Sequence, residues 1–280
     1  MVVAWLALAA ASLSAQPRRI VSTAPSITEM LYALGLGDRV VGVTTFCHYP
    51  PEAAGKPKVG DYLRPNVEII VSLRPDLVIV ERTGVRKTER LPALKLNVIE
   101  VDDGTLAGIY ESIERIGAAA GVPERAAVLN ARIRAELEAI SRRAARVPKR
   151  RVMFVLGRTP GRLEDLVVGG KGSYLDEVIR LAGGENVFAG AAVAYSKVSL
   201  EEVLARNPEV IVDMGEMAQT VGVTEARKKA VVALWSRYPS LAAVNERRVF
   251  AVASDIFVVP GPRVVEAARA LAAMILGDFH

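Results

Sequence analysis

The sequence predicts an α/β protein with two lobes, each built on a parallel sheet, joined by one long helix. Three observations predict this class. Segments typical of strands and helices alternate along both halves of the 280-residue chain, which is the usual pattern of parallel sheets. A long amphipathic helix separates the halves, and a segment of the first half recurs in the second. The predicted boundaries are 18–122 for the first lobe, 123–147 for the helix and 149–280 for the second lobe.

Composition restricts the class of protein. With 51% hydrophobic residues, 24% charged residues and a net charge of +5, the chain has an ordinary globular composition. No basic patch interleaved with aromatic residues is present, which argues against nucleic-acid binding.

The apolar residues 1–15, MVVAWLALAAASLSA, predict a secretory signal peptide, with a buried first strand or helix as the alternative. Cys47, the single cysteine, excludes an intramolecular disulfide and lies too far along the chain to carry an N-terminal lipid anchor. We expect export to the periplasm as a free soluble protein.

The first half alternates strands and helices up to the long helix. Ser26 and Glu29 have the spacing of a capping box, and Asn66 stands where a helix N-cap is expected. In chain order the predicted elements are a strand at 19–22, a helix at 26–34, a strand at 40–44, a polar loop at 46–60, a helix at 66–73, a strand at 76–81, a helix at 87–94, a strand at 97–101 and a helix at 105–120.

The long helix is predicted over Pro123–Val147. Pro123 suits a first helical turn, and Pro148 ends the helix. A rise of about 1.5 Å per residue makes it a rod on the order of 30 Å long. An ordinary helix packed on one sheet is the alternative to a connection between lobes. Its apolar positions recur every three or four residues: Ala126, Leu129, Ile133, Leu137, Ile140 and Ala144.

The second half repeats part of the first. Asn66–Val80, NVEIIVSLRPDLVIV, aligns without a gap with Ser199–Asp213, SLEEVLARNPEVIVD, at an offset of 133 residues. Both segments combine a helix cap, a helix, a proline and a strand, and the matched flanks favour duplication of a lobe over convergence. The other predicted elements of this half are strands at 151–156, 209–213 and 249–252 and helices at 173–181, 199–205, 224–238 and 263–276.

Duplicated tyrosines suggest a ligand site. The carboxyl ends of parallel strands are the usual ligand sites of α/β lobes, so two lobes would form a cleft between them. Tyr62 aligns with Tyr195, and both are expected in the loop before the repeated helix. Paired aromatic rings can sandwich a large flat ligand, and Tyr49 is a third candidate wall. Core or surface packing is the alternative for each tyrosine taken alone.

Glu68 and Glu201 are also aligned by the repeat, two residues after each helix cap. An acid in the first helical turn offsets the helix dipole, which is the simpler interpretation. One outward-facing acidic side chain on each lobe would also suit a partner protein that presents two basic pockets.

The sequence argues against catalysis and against a resident metal or cofactor. His48 and His280 are the only histidines, and the adjacent side chains of Cys47 and His48 point apart in an extended loop. A protein zinc site needs about four ligands. His48 remains a candidate axial ligand for a metal held by an incoming chelate, or simply a solvated loop residue.

Several segments resemble one known family. RIVSTAPSITEMLYALGLGDRVVGVT, TFCHYPPEA and PKVGDYLRPNVEIIVSLRPDLVIV, with VVGGKGSYLDEVIRLAGGENVF and SDIFVVPGPRVVEAARALA, resemble the helical-backbone, class III periplasmic binding proteins for metal chelates. Within these, the cobalamin-binding branch is most similar. The resemblance implies two Rossmann-like lobes joined by one helix, with a ligand cleft between them. It also implies delivery of the ligand to the permease dimer of an ABC importer.

The resemblance also implies roles for single residues. Glu68 and Glu201 would dock onto arginines of the permease, and Tyr49, Tyr62 and Tyr195 would line the cleft. Tryptophan is common in the branch at the latter two positions. An anionic chelate would meet the basic residues near the predicted loops, Arg64, Arg82 and Arg263.

The expected function is capture of cobalamin or a related corrinoid by a monomer that serves an ABC importer. The alternatives are a ferric-siderophore or haem binder of the same class, a two-lobed α/β enzyme, and a sensor domain. An enzyme of the nitrogenase type would need cysteine ligands between its lobes, and one cysteine argues against it. A stiff connecting helix predicts small changes of overall shape on ligand binding.

Overall fold

The computed structural model describes residues 16–61, 63–82, 90–215 and 224–277. The predicted signal segment 1–15 and the candidate wall residue Tyr62 lie outside the described residues. The strands are β1 (Ile20–Ser22), β2 (Val40–Gly42), β3 (Leu77–Glu81), β4 (Val98–Val101), β5 (Arg150–Gly157), β6 (Leu166–Gly169), β7 (Gly184–Asn186), β8 (Tyr195–Val198), β9 (Val210–Asp213) and β10 (Val249–Ala251).

The helices connect these strands in the predicted order. Short 3-10 helices are present at Gly37–Arg39 and Asp255–Phe257. None of the helices in the described ranges is long and apolar enough to span a bilayer. The α-helices are α1 (Pro25–Ala33), α2 (Pro51–Ala54), α3 (Val67–Ser72), α4 (Arg90–Ala93), α5 (Leu106–Ala119), α6 (Pro123–Ala144), α7 (Tyr174–Leu181), α8 (Leu200–Arg206), α9 (Glu225–Trp235), α10 (Ala242–Asn245) and α11 (Val264–Leu276).

The first lobe is a parallel four-stranded sheet in the order β2-β1-β3-β4. Strand β3 is buried on both faces. Leu77 and Ile79 belong to the cluster that includes α1 and α5, and Val78 and Val80 belong to the cluster that includes Ile70 of α3. This alternation follows the two-residue period of a strand, and helices on both faces explain its continuous apolar sequence.

The second lobe has a six-stranded sheet in which β5 is central. Strands β10, β9 and β5 are parallel neighbours, and β7 pairs in parallel with the start of β5. Strand β6 pairs antiparallel with the last residues of β5, and β8 pairs antiparallel with β6. The sequence did not predict β6, β7 or β8. The second sheet therefore adds an antiparallel edge to the parallel strands that the sequence predicted.

Helix α6 joins the lobes as predicted, although it ends at Ala144 rather than Val147. The six predicted apolar positions are all buried, with Ile133 only 1% exposed. The helix packs on α5 of the first lobe and on α7 and α11 of the second. One apolar core runs from Ile20 through this helix to Ile275, so the lobes share a core.

The backbone confirms the internal repeat. Arg74 and Asn207, which the repeat aligns, both adopt left-handed conformations with φ of 46° and 44°. The carboxylate of Asp76 accepts hydrogen bonds from the backbone N–H groups that begin β1, and that of Glu209 accepts one from the N–H of Arg151 in β5. Each repeat unit thus contains the same left-handed turn, followed by a carboxylate that hydrogen-bonds to the backbone at a neighbouring strand.

Two local predictions are wrong. Helix α1 begins at Pro25 with Ala24 as its N-cap and has no side-chain cap, so Ser26 and Glu29 do not form a capping box. Proline fits the first helical position because it lacks the N–H that would be unpaired there. Tyr195 begins strand β8 and does not lie in a loop. The predicted caps at Asn66 and Ser199 are confirmed, and the side chains of Thr105 and Ser173 cap α5 and α7 in the same way.

Candidate ligand cleft between the lobes

The carboxyl ends of the first sheet carry a series of polar and aromatic residues. Residues 43–49 follow β2, Arg82 follows β3, and Asp102 and Asp103 follow β4. Contacts with the second lobe place this edge at the boundary between the lobes. Glu177 of α7 accepts a hydrogen bond from the N–H of Leu106, where α5 begins, at 2.6 Å.

A first polar junction at this boundary is the electrostatic interaction between Asp103 of the first lobe and Tyr195 of the second. Asp103 is 5% exposed, and burial raises the pKa of its carboxyl to about 7 although the Ser26 side chain hydrogen-bonds to it. Partial burial, and then the negative charges of Asp103 and Glu81, raise the pKa of Tyr195 to about 12. Tyr195 therefore remains a neutral hydrogen-bonding phenol at neutral pH.

A second junction centres on Arg263, just before α11. Its Nε donates to Oε2 of Glu29 at 3.0 Å, its Nη2 donates to Oε1 of the same carboxylate, and its Nη1 donates to Oδ1 of Asp255 at 2.9 Å. Burial raises the pKa of Glu29 to about 7, and the hydrogen bonds from Arg263 oppose that rise. The Arg263 guanidinium carbon lies 4.0 Å from the centre of the Tyr49 ring.

Two of the three predicted aromatic walls lie at this boundary. Tyr49 is 43% exposed and Tyr195 is 46% exposed. Tyr49 comes from the first lobe and Tyr195 from the second. Phe46, which the sequence did not single out, is 48% exposed in the same loop as Tyr49.

The three candidate arginines have different surroundings. Arg263 is held by two carboxylates, and Arg82 pairs with Asp102 at 2.9 Å. Arg64 is exposed, and its backbone N–H donates to the carboxylate of Asp61. Contact of any of the three with a ligand stays a prediction.

Glu68 and Glu201 are exposed in the first turns of α3 and α8. In the second lobe Glu202 completes the capping box with Ser199. Hydrogen bonds from the backbone N–H of Glu201 and from Ser199 lower the pKa of the Glu201 carboxyl. Docking by this pair stays a prediction.

Sequence reasoning missed Glu29, Asp103 and Asp255 as cleft residues. Asp102 and Asp103 directly follow the predicted strand 97–101, so the rule that ligands bind at carboxyl ends of strands was a usable signal. Cys47 is buried between the hydroxyls of Thr28 and Thr44, each 3.1 Å away, and His48 is exposed.

A cavity of about 300 Å³ opens at the carboxyl ends of β5, β9 and β10, and its lining includes Arg158, Met214 and Val252. The Arg158 side chain is bound to Asp213 at 3.0 Å. Asp213 also accepts a hydrogen bond from the Trp235 indole N–H at 2.7 Å. Within the described residues, no group of three or more His, Cys, Asp or Glu side chains is arranged to hold a metal ion.

The family profile and the similar proteins all belong to one class, the substrate-binding proteins. A family profile described as "Periplasmic binding protein" matches residues 20–256. The uncharacterised ABC transporter substrate-binding lipoprotein YvrC of Bacillus subtilis is 31% identical over 271 residues, covering 94% of this chain and 81% of that protein. The vitamin B12-binding protein of Salmonella typhimurium is 32% identical over 255 residues, covering 90% of this chain and 88% of that protein.

Solved structures have the same fold. The periplasmic vitamin B12-binding protein BtuF of Vibrio cholerae superposes with a TM-score of 0.77 at 28% identity, covering 92% of this chain and 96% of that one. The periplasmic haem-binding protein RhuT of Roseiflexus sp. RS-1 has the same TM-score and identity, covering 92% and 97%. Similarity of structure therefore favours neither ligand over the other.

Proposed function

The chain belongs to the periplasmic binding protein family, and from that premise we propose that it captures cobalamin or a related corrinoid between its lobes and delivers it to an ABC importer. The class itself, a binding protein of the ABC-importer type, rests on family membership. The ligand and the contact residues are the proposed part.

The observation that supports a chelate ligand most directly is the exposure of Tyr49 and Tyr195 at the boundary between lobes. An exposed tyrosine from each lobe offers a flat apolar surface with a hydroxyl at its edge, which suits a large ring system bearing polar substituents. Phe46 extends the apolar surface of the first lobe.

Charge near these rings favours a corrinoid over a chelate rich in carboxylates. The periphery of a corrin ring carries uncharged amide groups, whereas haem carries propionate carboxylates. Of the candidate arginines, Arg263 and Arg82 already pair with Glu29, Asp255 and Asp102. The carboxyl of Asp103 and the phenol of Tyr195 can instead exchange hydrogen bonds with amides.

Haem is the second candidate, because a haem-binding protein superposes as well as a vitamin B12-binding protein does. Arg64, which is exposed, is then the arginine that we propose to meet a propionate. We propose that Glu68 and Glu201 dock the loaded protein onto the importer, one carboxylate from each lobe.

Titration of the purified protein with cyanocobalamin, haemin and ferrichrome, read by calorimetry and visible absorbance, tests the ligand. We expect saturable binding of cyanocobalamin that weakens about 30-fold in Tyr49→Ala and in Tyr195→Ala, because a central aromatic contact contributes about 2 kcal/mol. Val128→Ala on α6, where the side chain is 71% exposed, is the control and should bind as the wild type does. Tight binding of haemin or ferrichrome with none of cyanocobalamin would reverse the choice of ligand.

A further inference from the structure

Among the described residues, one buried ion pair joins the two lobes. It is formed by Arg263 of the second lobe and Glu29 of the first. The Arg263 side chain is 10% exposed and the Glu29 side chain 3%. The donor and acceptor pairs are parallel, which is the fork geometry that guanidinium and carboxylate groups form best. Such a contact fixes both position and orientation of the arginine.

Two further contacts restrict Arg263. Asp255, in the 3-10 helix before α11, binds the remaining nitrogen at 2.9 Å. Gly261 brings the backbone close to α1, since a β-carbon there would lie 3.4 Å from the Glu29 carboxylate. The guanidinium is therefore held from both lobes and has little freedom to turn toward a ligand.

The remaining face of the guanidinium carries the Tyr49 ring, with 4.0 Å between the guanidinium carbon and the ring centre. Cation–π contacts of this length are favourable and stronger when the cation is partly desolvated. Tyr49 is 43% exposed, and the stacked guanidinium holds one face of its ring.

We propose that Arg263 is a positioning residue that binds no ligand itself: held by Glu29 and Asp255, it fixes the Tyr49 ring as the first-lobe wall of the cleft. The inference rests on the proposed function for the ligand, but the positioning of Tyr49 is a property of the free protein. It replaces the expectation that Arg263 contacts an anionic chelate.

The test is a double-mutant cycle with cyanocobalamin as the probe. Arg263→Lys keeps the charge but loses the planar fork and the stacking surface, so we expect affinity to fall at least tenfold. Tyr49→Ala should lower it comparably, and the double variant should be no weaker than Tyr49→Ala alone. Additive losses, or wild-type affinity in Arg263→Lys, would overturn the proposal. Arg151→Lys, at an arginine paired with Glu209 on the far end of β5, is the matched control.

A readout without ligand separates this proposal from the proposed function. In protein labelled with 3-fluorotyrosine, the Tyr49 ¹⁹F resonance, assigned with Tyr49→Phe, should shift in Arg263→Lys and not in Arg151→Lys. A shift in a protein that binds no cyanocobalamin would refute the ligand and support the positioning role. An unmoved resonance would refute the positioning role whatever the ligand. If Arg263→Lys does not fold, Glu29→Gln weakens the same fork and is expected to give the same shift.

Discussion

Replacing Asp103 with asparagine should change how the stability of the protein depends on pH. Burial raises the pKa of Asp103 from 3.8 to about 7 in the folded protein. Between these values the folded state binds more protons at Asp103 than the unfolded state does, so the contribution of Asp103 to stability is full below pH 4 and is lost as pH rises toward 7. The shift of about three pKa units corresponds to a loss on the order of 4 kcal/mol across the window.

Asparagine has nearly the same shape and cannot ionise, so Asp103→Asn should lack this loss. The wild type contains a second group whose contribution to stability also falls as pH rises, because burial also raises the pKa of Glu29 to about 7. The difference between wild type and variant isolates Asp103. The free energy of unfolding of the variant, relative to wild type, should rise by about 4 kcal/mol from pH 4 to pH 8.

Urea unfolding at each pH unit from 4 to 8, followed by the fluorescence of the buried Trp235, provides the measurement. The slope m should stay constant, so that midpoints compare free energies directly. Asp38→Asn, at an exposed carboxylate, controls for the loss of one negative charge. Parallel curves for wild type and Asp103→Asn over the whole range would refute the assignment of a buried, protonated carboxyl at the cleft.

Three further predictions follow from the lobes and their connection. Glu68→Lys with Glu201→Lys should abolish delivery in a transport assay with the importer and leave cyanocobalamin affinity in solution unchanged; undiminished transport would refute the docking role. Ile133→Ala, at a core position of α6 that is 1% exposed, should lower the free energy of unfolding by about 2–5 kcal/mol, whereas Val128→Ala should change it by less than about 0.5 kcal/mol. X-ray scattering should show nearly the same radius of gyration with and without ligand, and a large decrease would contradict a shared core.

The parts of the fold that the sequence predicted are those set by local pattern. The run Leu77–Val80 is apolar throughout because helices cover both faces of β3, and such runs are easy to recognise. The repeat around Asn66 and Ser199 was visible because cap, helix, proline and strand each have a sequence signature. Strand β8 has no such signature, since Tyr195–Val198 is mostly exposed at a sheet edge and its partner β6 is antiparallel.

The repeat marked only part of the candidate site. Tyr195 and Glu201 were found by alignment with Tyr62 and Glu68. Glu29 was assigned to a local cap because its true partner, Arg263, is 234 residues away in the sequence, and no periodicity connects residues so distant. The burial that raises the pKa of Asp103 likewise depends on tertiary packing, which single-sequence patterns do not record.

The contacts between the lobes bear on the proposed ligand binding. Helix α6 places both sheets against one continuous core, and the Glu29–Arg263 pair joins the lobes a second time. Two separate connections oppose hinge rotation more strongly than one, because bending at either must strain the other. We therefore expect the spacing of Tyr49 and Tyr195 to be set before a ligand arrives, and a preformed site loses less conformational freedom on binding. Under the proposed function, ligand choice would then depend on how well a rigid ring fits between these two tyrosines.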